Sequence, residues 1–150
     1  MNRPRIKPKL SPFDLAIELV SIISLLFLIG LSLAISLYSE NFTVPTNGYG
    51  SVWFFAAKGL FVYAGLTILG QFPHIYSFPI EVTPENATKI YSEGTRLVSF
   101  VKMLLMLFFA FFSLCSAGLT NGLLCRIAIL ILFIIIIALV WRAIVLMGKK

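Results

Sequence analysis

The chain contains a single histidine, His74. Together with Glu81, Glu85 and Glu93 it brings the residue types of a metal site or an acid–base pair into one stretch. The spacings do not match the HExxH kind of motif, in which two histidines one helical turn apart share a face. A catalytic metal needs about three protein ligands around an open position. One histidine with carboxylates scattered along helix starts falls short of that set. The residues favour a histidine hydrogen-bonded to backbone at a proline-bounded turn. They predict no catalytic residues, no cofactor, no bound metal and no enzymatic activity.

The other chemistry-bearing residues lie in apolar surroundings. Lys58 is the only charge in an apolar run, where a lysine at mid-membrane costs about 2.5 to 3.5 kcal/mol and by default marks a candidate site. Snorkelling to the outer interface is its simpler explanation; a working Lys58 would pair with Glu40 or with an ion. Lys102 is expected to rest its stem in lipid and reach the headgroups. Arg126 and Arg142 are sixteen positions apart, about 24 Å of helix, so each can anchor at an opposite interface. Cys115 and Cys125 flank a turn at Asn121-Gly122. An oxidising compartment would allow a bridge between them, but apolar-embedded cysteines are more often buried thiols, the reading preferred here.

What must position these residues is a membrane. Of 150 residues, 59% are hydrophobic and 12% charged, against roughly 45 to 50% and about 25% in soluble domains. A domain of this size has too little interior to hide that excess from water. Four stretches reach the roughly 20 residues a spanning helix needs: about 13–38, 52–72, 98–117 and 123–147. The expected fold is all-α, one membrane domain of four transmembrane helices. The first span is too long for a signal-peptide core and reads as a retained anchor. The second is closed by Pro73, which disfavours helix in the residue before it.

Basic residues orient the bundle. Arg3, Arg5, Lys7, Lys9, Lys89, Arg96, Lys149 and Lys150 all fall on one side, while the segments 39–51 and 118–122 carry none. Lys and Arg stay preferentially cytoplasmic, which predicts a multi-pass plasma-membrane protein with both termini in the cytoplasm. The net charge of +6 is then directed at anionic lipid headgroups rather than nucleic acid, because no aromatic-basic groove accompanies it.

Two helix starts share one chemistry. Ser11-Pro12-Phe13-Asp14 and Thr83-Pro84-Glu85-Asn86 each offer a capping hydroxyl, a proline at the first helical position and a carboxylate near free N–H groups. After Pro84, Ala87, Ile90, Tyr91, Gly94, Leu97 and Val98 share one face. Glu85, Lys89 and Glu93 fall opposite, spaced for pairing with the lysine. An interfacial amphipathic helix is expected there, leading into the third span. The preceding Phe72–Val82 stretch is aromatic and bounded by Pro73 and Pro79, so it should be an extended segment packed on the helix ends. Gly30 and Ala34 weakly mark a helix-packing face.

In this region Phe72-Pro73-His74-Ile75-Tyr76, Pro79, Thr83, Glu85-Asn86-Ala87, Tyr91, Thr95-Arg96-Leu97 and Lys102 resemble the signature of small bacterial membrane proteins grouped as domain of unknown function 1648. Asn47-Gly48-Tyr49-Gly50-Ser51 and Arg3-Pro4-Arg5-Ile6-Lys7 extend the resemblance. Relatives of that group include an immunity protein against a sporulation-delaying toxin, a membrane protein that also relays a signal. The resemblance implies that Pro73, His74, Pro79, Thr83, Glu85, Asn86 and Arg96 are motif or binding residues. It supplies no catalytic residue. The chain departs from the group in its first outer loop, where Ser39–Thr46 lacks the usual histidine and Val52 replaces a lysine. The function expected is a non-enzymatic binding, immunity or signalling component of the inner membrane, acting through a protein partner or as a homo-oligomer. The alternative is a subunit of a transporter or channel.

Overall fold

A computed structural model describes residues 11–37, 52–78, 81–118 and 120–148. The described residues form helices without strands: α1 (Pro12–Leu37), α2 (Val52–Gly70), a short 3-10 turn (Pro73–Ile75), α3 (Ala87–Ser116) and α4 (Gly122–Gly148). All four α-helices are long and apolar enough to cross a membrane. Asp14 and Ser36 of α1 meet Arg96 of α3 and Trp53 of α2 respectively, so α1 runs parallel to α3 and antiparallel to α2. The end of the bundle where α1 and α3 start is called the proximal end below.

The start of α1 follows from its first four residues. The Asp14 carboxylate accepts hydrogen bonds from the Ser11 N–H and hydroxyl, both at 2.8 Å, and the Ser11 hydroxyl oxygen accepts the Asp14 N–H at 3.2 Å. This is a reciprocal cap with aspartate in the third helical position. The second expected start is displaced. Asn86 Oδ1 accepts the Thr83 N–H at 2.8 Å and Asn86 Nδ2 donates to the Glu81 carbonyl at 3.1 Å. Residues 84–86 form a turn, closed by the Ala87 N–H donating to Thr83 O at 2.9 Å, and α3 begins at Ala87 with Asn86 in the cap position but no side-chain cap bond.

α3 is the central helix, packing on α1, α2, α4 and the 3-10 turn. It is one continuous helix of 30 residues, about 45 Å long against a roughly 30 Å hydrocarbon slab. It ends at Ala117, after which Gly118 takes φ 73° and donates its N–H to Cys115 O. That left-handed turn suits glycine.

The buried face of α1 alternates apolar and small polar residues: Ile17, Ser21, Ser24, Leu25, Leu28, Ser32 and Ile35. Ser21, Ser24 and Ser32 each donate to the carbonyl one turn earlier at 2.8 Å. Their hydroxyls are thereby satisfied within the helix, and small side chains let a neighbouring backbone approach. Leu28 forms a core with Phe55 and Ala56 of α2, backed by Phe109 and Phe112 of α3. Gly59 makes room for it, since a Cβ there would stand 2.6 Å from a Leu28 methyl.

The segment after α2 is only partly extended. Ile75 and Tyr76 donate backbone N–H groups to Phe72 O and Pro73 O, which winds 73–75 into a 3-10 turn. Pro73, with its fixed φ, sits at the start of that turn. The chain then packs on α3 as expected: Phe78 covers Ala87, Ile90 and Tyr91 together with Val82. Gly94 permits this contact, because a Cβ there would lie 2.9 Å from the Phe78 ring.

Candidate functional site

Two charge clusters, one turn apart on α1, join α1 to α3 near the proximal end. In the first, Arg96 Nε donates to Asp14 Oδ1 at 3.0 Å and Arg96 Nη1 reaches Glu93 Oε1 at 3.4 Å. Asp14 therefore does two jobs: it caps its own helix and holds the neighbouring one. On α3 itself Glu93 reaches Arg96, one turn along the helix.

The second cluster lies deeper. The Lys102 ammonium donates to both Glu18 oxygens, at 2.8 and 2.6 Å, and to Thr67 Oγ1 at 3.1 Å. Tyr63 Oη donates to Glu18 Oε1 at 2.7 Å, and the same tyrosine ring stands 4.8 Å from the ammonium. Three helices thus supply the four groups. Burial is uneven, with the Lys102 side chain 4% and the Glu18 side chain 32% exposed. All three ammonium protons can be taken up by protein oxygens, which is what a cation removed from water requires.

This arrangement corrects the expectation for Lys102. Its ammonium does not reach toward headgroups; it is enclosed between α1, α2 and α3. Lys58 differs: it is exposed, with its ammonium 3.8 Å from the centre of the Phe54 ring, a cation–π contact that is weak at an exposed site. Glu40, the partner suggested for it, lies outside the described residues.

The remaining motif residues are spread out. Pro73 is buried and begins the 3-10 turn; half-buried His74 on that turn meets Phe72 edge-on, ring centres 6.0 Å apart. Tyr76 Oη donates to Leu69 O at 2.9 Å, and burial pushes its phenol above the usual value. Thr83 and Asn86 come together in the turn before α3, with Glu85 exposed beside them. Pro79 lies outside the described residues. Among the described residues no three His, Cys, Asp or Glu side chains are grouped to hold a metal. Cys115 is disulfide-bonded, not the buried free thiol that its apolar setting suggested. The chain has only two cysteines, too few for any spacing pattern to announce a bridge.

Residue type and spacing alone do not single out Glu18. It sits just ahead of the uncharged Leu19–Leu37 run and looks like an end-of-helix charge. The available signal was its position four residues after Asp14, which puts both carboxylates on one face of α1, set against Arg96 and Lys102 on α3.

Comparison with protein-family models, curated proteins and solved structures finds no match to this chain.

The difference between the two lysines can be measured. Lys58→Met should change the unfolding free energy in detergent by no more than about 0.5 kcal/mol, as for other exposed positions. Lys102→Met should cost about 2 kcal/mol, below the range for a fully buried pair because the stranded Glu18 is partly open to solvent. Equal losses from the two variants would contradict the enclosed placement of Lys102.

Proposed function

We propose that the chain is a non-enzymatic, multi-pass protein of the bacterial inner membrane that serves as a binding, immunity or signalling component. The observation that carries this reading is the closed state of the intramembrane charge cluster. Lys102 is engaged by Glu18 and Thr67, and farther along the bundle the core is filled by Leu28, Phe55, Phe109 and Phe112. A conducting protein needs a polar path through which an ion can enter and leave. Here the charges bind helices to one another instead. The resemblance at Phe72–Tyr76, Thr83, Glu85–Ala87 and Arg96 supports immunity or signalling among the non-enzymatic roles, with Pro73, His74 and Pro79 in the segment that would meet a partner.

In this reading the proximal end is cytoplasmic. The asymmetry of Lys and Arg supports that orientation, and so does the disulfide at Cys115, near the distal end of α3, since disulfides persist in oxidising compartments outside the cytosol. The excess length of α3 supports an interfacial position for its first turns, residues 87–97, before it enters the bilayer. Anionic headgroups are then the lipid partners of the proximal basic residues.

The competing reading, a transporter or channel subunit, draws on the same intramembrane pair, because ionisable groups at that depth commonly mark ion pathways. Vesicles containing purified protein and an internal pH dye should pass protons, under an imposed potassium diffusion potential, no faster than protein-free vesicles. A protein-dependent flux that disappears in Glu18→Gln would replace the binding reading with transport. For the orientation, a fluorescent reporter fused after Lys150 should glow in the cytoplasm of intact bacteria, and a periplasm-only phosphatase reporter at the same place should be silent. The opposite pattern would invert the topology.

A further inference from the structure

At the proximal end a groove of about 180 Å³ opens between α1, α3 and α4, lined by Arg96, Arg142 and Glu93 with Phe13, Phe100 and Leu139 among its apolar walls. We propose that this groove binds the phosphodiester headgroup of an anionic membrane lipid. Arg142 makes no ion pair among the described residues, and its side chain is exposed. Its guanidinium is therefore available, and a planar fork of N–H donors suits two phosphate oxygens at once. Arg96 is held in place on the other wall by Asp14 at 3.0 Å and Glu93 at 3.4 Å. Asp14 and Glu93 both pair with Arg96, and Asp14 also accepts from Ser11 at the positive end of α1, so neither carboxylate is spent on Arg142. A phosphodiester would give Arg142 the negative partner it lacks among the described residues.

The walls argue for a lipid rather than a free anion. Phe13 and Phe100, ring centres 5.7 Å apart, and Leu139 offer nothing to a hydrated phosphate but suit the glycerol and first methylenes of an acyl chain. The volume equals that of about six waters, enough for a headgroup phosphate with its glycerol and too little for a whole lipid, so the chains would run out along α4. None of the described side chains of α4 is buried, and its surface facing away from α3 is open for them. The groove's depth fits as well, because Phe13 is the second residue of α1 and Arg142 stands in the last two turns of α4, the level at which headgroups meet the hydrocarbon.

The chain has two tryptophans, and Trp141, exposed next to Arg142, reports on this place once Trp53 is replaced by phenylalanine. In phosphatidylcholine vesicles, brominated phosphatidylglycerol should quench Trp141 with an apparent preference of about fivefold over brominated phosphatidylcholine, the worth of roughly one basic residue at an anionic surface. Arg142→Gln should bring that preference close to one without changing the helical circular dichroism, Arg142→Lys should keep part of it, and Arg126→Gln at the far end of α4 should leave it intact. Equal quenching by the two lipids, or a preference that survives Arg142→Gln, would overturn the proposal. Loss of the preference in millimolar inorganic phosphate would overturn it too, assigning the groove to a free anion.

Discussion

A lysine and a glutamate that meet within an apolar bundle set the relation of its helices. Removing the Lys102 ammonium from water is tolerable only where oxygens replace the solvent. Glu18 and Thr67 do so from α1 and α2 at 2.6 to 3.1 Å. Such short contacts fix the register of three helices at once, because sliding α3 by a single residue, about 1.5 Å, would break them. A buried pair of this kind contributes little net stability over a well-packed apolar alternative, but separating its members is costly. Its role is to specify one arrangement of helices.

The rest of the packing agrees with that register. With Glu18 opposite Lys102, Asp14 one turn earlier falls opposite Arg96, and at the far end Ile35 packs on Ala117. Between them the serines of α1 allow close approach, and Gly59 admits Leu28 to the core with Phe55 and Ala56. α4 stands apart from this network, because its principal contact is with α3 and its outward face is lined by Leu130, Phe133, Ile134 and Ile137. Held by apolar contact on one side, it leaves at the proximal end the gap between α1, α3 and its own Arg142 in which a lipid phosphate is proposed to sit. The same charges thus act twice: they lock α1, α2 and α3, and they place Arg96 on one wall of the proximal groove.

Much of this fold can be read from hydropathy alone. The four spans emerge within a few residues at most ends, since apolar length is the physical requirement for crossing a bilayer, and the Ser11 cap can be read from residue types. The third helix was less legible, because the amphipathic stretch from Ala87 and the apolar stretch beyond Val98 share one period and differ only in what covers their polar face. It starts at Ala87 rather than Pro84, after a turn in which the Asn86 side chain is bonded back to both the Thr83 N–H and the Glu81 carbonyl. The site was hardest to see. A linear reading sets each charge against lipid or headgroup separately, so Lys102 became a snorkelling side chain and Glu18 was passed over. Only the parallel pairing of α1 with α3, which depends on tertiary packing, reveals that each is the other's partner. For His74 and its neighbours the residues gave composition without convergence, and the structure places them along a turn that packs on α3.

The central claim is that Glu18 and Lys102 act as one unit across the α1–α3 interface. A double-mutant cycle measured by unfolding in detergent tests it directly, with Glu18→Gln, Lys102→Met and the two combined. Paired groups should show a coupling energy of at least about 1 kcal/mol, the double variant losing less than the sum of the single ones. Strict additivity would mean that the two side chains do not interact, and the account of how this bundle is held in register would fail.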